Sequence, residues 1–280
     1  MKKNRSKTFC VLSSGNNIDL KQVKANQKIF STDFSDFYFL NWMENDNKSF
    51  ICAPNCVWSE GISLLYEHVP KNYKYYIFIN DDCEFQNKNG NDIAKTIKNI
   101  LEKYTPLSAS FHGGWHSNCI KNPINDAIVT HGFDLHAFVL EKTYANIIFP
   151  VIHHGSDASV NYAQYICHKL FPNKQILICE ITTINSLHRT YSDNGKIDRF
   201  LQKEQHMELF EQHTVHKDYV ELYGLHNPIE VGNKKLKNNK IDSEPIIITI
   251  NDINKVYNTK NEHFLNRKSV HNSVEIKINS

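Results

Sequence analysis

The chain predicts an α/β fold, a mostly parallel central sheet flanked by helices with a small C-terminal appendage. Three observations point there. Tyr75-Tyr76-Ile77-Phe78-Ile79 is an unbroken apolar run that ends on polar residues, the pattern of a strand buried on both faces. Just before it, Ser59 opens a helix whose apolar face is Ile62, Leu65, Tyr66 and Val69, and Pro70 stops it. Phe50-Ile51-Cys52-Ala53, a short strand stopped by Pro54, precedes that helix, so the segment reads as a β-α-β unit of the kind that builds parallel sheets. Asp92 to Tyr104 repeats the helical signal, with Ile93, Ile97, Ile100 and Leu101 on one face.

The remaining elements follow in order. Thr8 to Gly15 predicts a first buried strand closing on a Ser/Gly turn, and Ile29 to Phe39 a second strand region. Ala109-Ser110-Phe111 leads into the loop His112-Gly113-Gly114-Trp115-His116. Phe133 to Leu140 reads as a strand, Glu141 to Ile147 as a helix, Ala158 to Leu170 as another helix, and Gln175 to Cys179 as a strand. Lys196 to His216 reads as a polar outer helix. Composition shifts near Gly224: Val231 to Ser243 is rich in Asn and Lys and reads as a solvated linker, followed by the strand signal Pro245 to Ile250. The expected organisation is a catalytic domain over 1–224 and a linker with tail over 225–280.

Bulk properties exclude several classes. At 280 residues with 40% hydrophobic and 22% charged residues, the chain has an ordinary globular composition. A net charge of +2 argues against nucleic acid as a partner, because no face-wide excess of cations is available for phosphates. The 7 cysteines form no CxxC pair and mostly fall in apolar runs, as reduced buried thiols of a cytoplasmic protein do. No run reaches membrane-spanning length, and the basic start lacks the apolar core of a signal peptide. The lysines at 234, 235, 237 and 240 would suit an anionic surface, such as the inner face of a membrane, for peripheral association. There is no GxGxxG fingerprint and no P-loop, against a dinucleotide oxidoreductase or an NTPase.

The chemistry concentrates after the apolar strand. Asp81, Asp82 and Glu84 arrive together at a strand end, where open α/β sheets bind ligands, and such crowded carboxylates repel unless a cation joins them. Oxygen donors of this kind favour Mn²⁺ or Mg²⁺. A strand running into an ordinary polar turn is the plainer alternative. Further along stand the Gly-Gly-Trp loop, the turn His153-His154-Gly155-Ser156-Asp157 and the strand end Leu187-His188-Arg189.

The order of these stations resembles the GT-A class of nucleotide-sugar glycosyltransferases, over roughly residues 8 to 200. The resemblance implies a GT-A-like, Rossmann-related catalytic domain that uses a nucleotide-sugar donor and a glycan or lipid-linked acceptor. In that family an acidic DXD-type motif holds the metal against the donor diphosphate. The motif here reads Asn-Asp-Asp-Cys-Glu, so Asn80/Asp82 or Asp82/Glu84 could be the formal pair, and Asp82 belongs to both. The resemblance implies Asp82, Glu84 and His188 as metal ligands, and Ser13, Asp81 and Arg189 at the donor. Asp157 corresponds to the catalytic base, and Trp115, His116, Asp134 and His154 to the acceptor side. Plainer roles stand beside these: Asp157 as a helix cap, His188 as a loop cap, Trp115 as a core residue, Asp134 as a turn.

Two other functions fit parts of the sequence. A His/Asp metallohydrolase could draw on His112, His116, His131, His136, His153, His154 and Asp157, although no HxHxD or HExxH spacing is present. A non-catalytic partner-binding protein could pair Ile246 to Ile250 with another sheet edge. The Asn/Lys/Ile-rich composition suggests an AT-rich genome, and the setting expected for a transferase is a bacterial-type surface polysaccharide pathway.

Overall fold

The computed structural model describes residues 7–54, 56, 58–113, 125–130, 135–149, 174–185 and 277–279. The expected elements at Ala158 to Leu170, Lys196 to His216 and Pro245 to Ile250, and the 231–243 linker, lie outside them. Strand β1 (Phe9–Gly15) is followed by helix α1 (Lys21–Phe30), β2 (Ser35–Asn41), β3 (Ile51–Cys52) and α2 (Trp58–His68). Next come β4 (Tyr75–Asn80), β5 (Cys83–Asn87), α3 (Ile93–Tyr104), β6 (Ser108–Gly113) and β7 (Ala127–Val129). The described chain is completed by β8 (Ala137–Glu141), α4 (Lys142–Ile148), β9 (Gln175–Asn185) and β10 (Lys277–Ile278).

All these strands join one sheet in the order β10-β3-β2-β1-β4-β8-β6-β9-β5, with β7 also paired to β9. The block β3-β2-β1-β4 is parallel throughout, as the β-α-β reading predicts. The sheet as a whole is mixed, which corrects the mostly parallel expectation. β8 runs antiparallel between β4 and β6, while β5 and β7 run antiparallel on β9 and β10 on β3. The parallel block carries the helical crossovers α1 and α2, whereas antiparallel neighbours such as β8 against β4 and β5 against β9 need none.

Alternation along the strands divides the core between two faces. From β1 and β4, Cys10, Leu12, Tyr76 and Phe78 face α2 and α4, packing on Ile62, Leu65, Tyr66, Tyr144 and Ile148. Phe9, Val11, Tyr75, Ile77 and Ile79 face α1 and α3, packing on Phe30, Ala94, Ile97 and Leu101. Tyr75 to Ile79 are all buried, so this strand is covered on both sides, as its unbroken apolar run requires. Phe78 stacks on Phe138 and Phe149, each with ring centroids 4.9 Å away. Truncation of a side chain so placed costs about 3–5 kcal/mol.

Helix α3 begins where expected, because the Asp92 side chain accepts from the Lys95 N–H at 2.8 Å, and it ends on Thr105 in the left-handed region with φ 42°. Other expectations shift as well. Ile29 and Phe30 close α1 instead of opening a strand, His112 and Gly113 end β6 instead of opening the loop, and β9 continues past Cys179 to Asn185. β9 pairs with β6 along both halves, across a slip between Phe111 and His112, and on its other side it carries β7 in the first half and β5 in the second. Gly113 ends β6 at that slip, and a Cβ there would overlap the Thr183 carbonyl. β10 lies within the expected tail and pairs antiparallel with β3, Lys277 opposite Cys52 and Ile278 opposite Ile51. Among the described residues, no helix is long and apolar enough to cross a membrane.

Candidate functional site

The strand directions gather the polar residues on one edge. β1, β2 and β4 end there at Gly15, Asn41 and Asn80, β6 and β9 end there at Gly113 and Asn185, and β8 starts there after His136. Asp81 and Asp82 stand at the centre of this edge, 7% and 5% exposed.

Each residue around the acids is tied to a different element. The Trp58 indole N–H, at the start of α2, donates to Asn80 Oδ1 at 3.0 Å. The Asn16 backbone N–H, just past β1, donates to Asp81 Oδ2 at 3.2 Å. The imidazole Nδ1 of His136 lies 3.8 Å from Asp82 Oδ1. The Asn26 amide on α1 donates to the Cys83 carbonyl at 2.8 Å, and Asn26 is fully buried to do so. The turn is thereby fixed from both faces and both neighbouring strands, which aims Asp81 toward β1 and Asp82 toward β8. Gly15 makes room for this: a Cβ there would overlap the Asp81 side chain. Asn16 is in turn held by the Trp42 indole, and the Trp42 N–H donates to the Gly15 carbonyl at 3.1 Å.

The two nearly buried carboxylates stand on consecutive residues at the strand end. The imidazole of His136 sits beside Asp82, so the pair offers one carboxylate and one nitrogen on the same side of the turn. Among the described residues, no group of three or more His, Cys, Asp or Glu is placed to hold a metal ion.

The other predicted residues divide into two groups. Ser13 is fully buried in β1 on the side of Val11, and its hydroxyl has no hydrogen-bond partner among the described residues. Glu84 is half-buried on β5, on the face opposite Cys83 and Phe85, and accepts from the Gln86 amide at 3.0 Å. Trp115, His116, Asp134, His154, Asp157, His188 and Arg189 lie outside the described residues, as do His131 and His153. Gly113 and Asn185, the described residues that precede Trp115 and His188, both stand on the acid edge. His112 is 6% exposed at the end of β6.

Sequence reasoning named His136 only within a hydrolase set, and it missed Trp58, Asn16, Trp42 and Asn26. The order Phe133 to Leu140 gave no sign that His136 would meet Asp82, since that follows from antiparallel pairing of β8 with β4.

No protein-family model matches the chain, and no curated protein matches it. Solved structures to which it is similar include the catalytic domain of Drosophila beta1,4-galactosyltransferase 7 in complex with xylobiose. That pair has 8% identity and a TM-score of 0.37 over 66% of this chain and 73% of the other. A glycosyltransferase involved in the glycosylation of the major capsid of PBCV-1 is similar at 11% identity and TM-score 0.38, over 66% of this chain and 97% of that one. Both are glycosyltransferase structures.

Proposed function

We propose that the chain is a metal-dependent glycosyltransferase that moves a sugar from a nucleotide-sugar donor to a glycan or lipid-linked acceptor. The setting proposed is bacterial-type surface polysaccharide synthesis. The observation that carries the reading is the buried Asp81-Asp82 pair at the carboxyl edge of the parallel block, with His136 beside Asp82.

A divalent ion held there supplies charge neutralisation for a diphosphate leaving group. Asp82 is the principal carboxylate toward that ion, and His136 lies close enough to share it. Asp81 is turned to β1 and tied to Asn16, and with Ser13 it is proposed for the donor side. Asp157 is proposed as the base that takes the acceptor hydroxyl proton, with His188 and Arg189 serving the metal and the phosphates. Trp115, His116, Asp134 and His154 are proposed for the acceptor side.

Calorimetry with UDP and CDP, with and without Mn²⁺, tests this on the full chain. Metal-dependent nucleotide binding that disappears in Asp82→Ala is the expected result. Nucleotide affinity indifferent both to Mn²⁺ and to Asp82→Ala overturns the reading.

A further inference from the structure

Residues 42–50 connect β2 to β3 beside the acid edge, and they begin at Trp42, which reaches Asp81 through Asn16. The loop is organised from within by Asp46. Its carboxylate accepts from the Asn41 amide at 2.8 Å, the Lys48 N–H at 2.7 Å, and both the N–H and the hydroxyl of Ser49 at 2.6 Å. Burial opposes charging Asp46, but the Ser49, Asn41 and Lys48 donors outweigh it and pull its pKa down to about 2.

The outer support of this loop comes from far along the chain. The Asn279 side-chain amide donates to the Asp46 carbonyl at 3.0 Å and to the Ser49 carbonyl at 2.7 Å, across 233 and 230 positions of sequence. Its backbone N–H donates to the Phe50 carbonyl at 3.0 Å. The Lys277 ammonium reaches the Asp46 carbonyl at 3.1 Å and Asn47 Oδ1 at 3.0 Å. Pairing of β10 with β3 places both side chains on the loop. An asparagine suits the position because one nitrogen carries two hydrogens and two carbonyls face it.

We propose that Lys277, Ile278 and Asn279 form a clasp that fixes the 42–50 loop, with Asn279 as a positioning residue for the β1–β2 side of the candidate site. The ties run in series from Asn279 to Asp46, from Asp46 to Asn41, and from the neighbouring Trp42 through Asn16 to Asp81. Asn41 is also the register partner of Gly15, the residue that makes room for Asp81. The functional half of this proposal rests on the donor-site reading, and the structural half does not.

The test compares the full chain with Asn279→Ala and Asn279→Asp. The aspartate has nearly the same shape but turns an acceptor toward two carbonyls, so it should be worse than alanine if the donated hydrogens matter. A residue that only fills space would give the opposite order. Amide exchange at Lys48 and Ser49 should quicken about tenfold in Asn279→Ala and further in Asn279→Asp. Mn²⁺–UDP affinity should fall by roughly threefold or more in the same order. Equal exchange in all three proteins overturns the clasp, and altered exchange with unchanged Mn²⁺–UDP affinity overturns the positioning role. A parent that binds no Mn²⁺–UDP overturns the donor-site reading, and exchange at Lys48 and Ser49 then decides the clasp by itself. If Asn279→Asp does not fold, Asn279→Ala decides alone.

Discussion

Gly15→Ala should displace Asp81. A Cβ on residue 15 would overlap the Cβ, Cγ and Oδ2 of Asp81, and Asp81 is 7% exposed with little space to retreat. Overpacking of this kind costs about 1–3 kcal/mol. Displacement also breaks the bond from the Asn16 N–H to the carboxylate, and bonds to charged groups contribute about 1.5–3 kcal/mol. The two losses share one movement and do not simply add, so a total of about 2–4 kcal/mol is expected. Urea denaturation of Gly15→Ala, Asp81→Gly and the double variant isolates the contact. With the Asp81 side chain gone, alanine at 15 has room, and the coupling should exceed about 1 kcal/mol, whereas independent sites add to within about 0.5 kcal/mol. If Gly15→Ala costs the same in both backgrounds, residue 15 does not set the position of Asp81, and the clamped geometry of the acid edge is refuted.

Two further outcomes follow from the same structure. Asp82→Ala relieves carboxylate repulsion, so without divalent metal it should melt at or above the parent, while Mn²⁺ should raise the melting temperature of the parent only; a Mn²⁺ shift retained in the variant contradicts the ligand role. The Lys71 ammonium lies 3.6 Å from the Tyr66 ring centroid, and burial lowers its pKa from 10.5 to about 8. Between those values the unfolded chain binds more protons at this site than the folded one, so its contribution to stability rises with pH. The stability difference between Lys71→Met and the parent should therefore shift in favour of the parent from about pH 8 to about pH 10.5, and a difference that stays flat over that window in denaturant titrations would show the amine to be solvated.

Much of the fold could be read from the sequence because burial leaves a local trace. Tyr75 to Ile79 must be apolar at every position to be covered on both faces, and Ile97, Ile100 and Leu101 must recur at helical spacing to meet the sheet. Strand direction leaves no such trace. Ala137 to Leu140 would have the same period of two whether β8 ran with β4 or against it, so the mixed sheet was hidden. Helix α1 was hidden differently: of its residues only Val23, Asn26 and Phe30 are buried, and Asn26 earns its place through a carbonyl 57 positions away. The acids announced themselves by crowding at a strand end. Trp58 and His136 did not, because what makes them part of the edge is the tertiary position of Asn80 and Asp82.

The pairing of β10 with β3 also bears on the order in which the molecule can be completed. Residue 277 leaves the ribosome 225 positions after residue 52 (277 − 52), and at the usual pace of synthesis that interval lasts roughly 11 to 45 seconds. The parallel neighbour β2, and β1 and β4 beyond it, are made far earlier, so among the described residues a nascent sheet can form with Ile51 and Cys52 at its border. An unpaired border strand is a template for other chains. The late arrival of Lys277 and Ile278 therefore covers this border last, and slow translation should lengthen the interval in which it stands open to another chain.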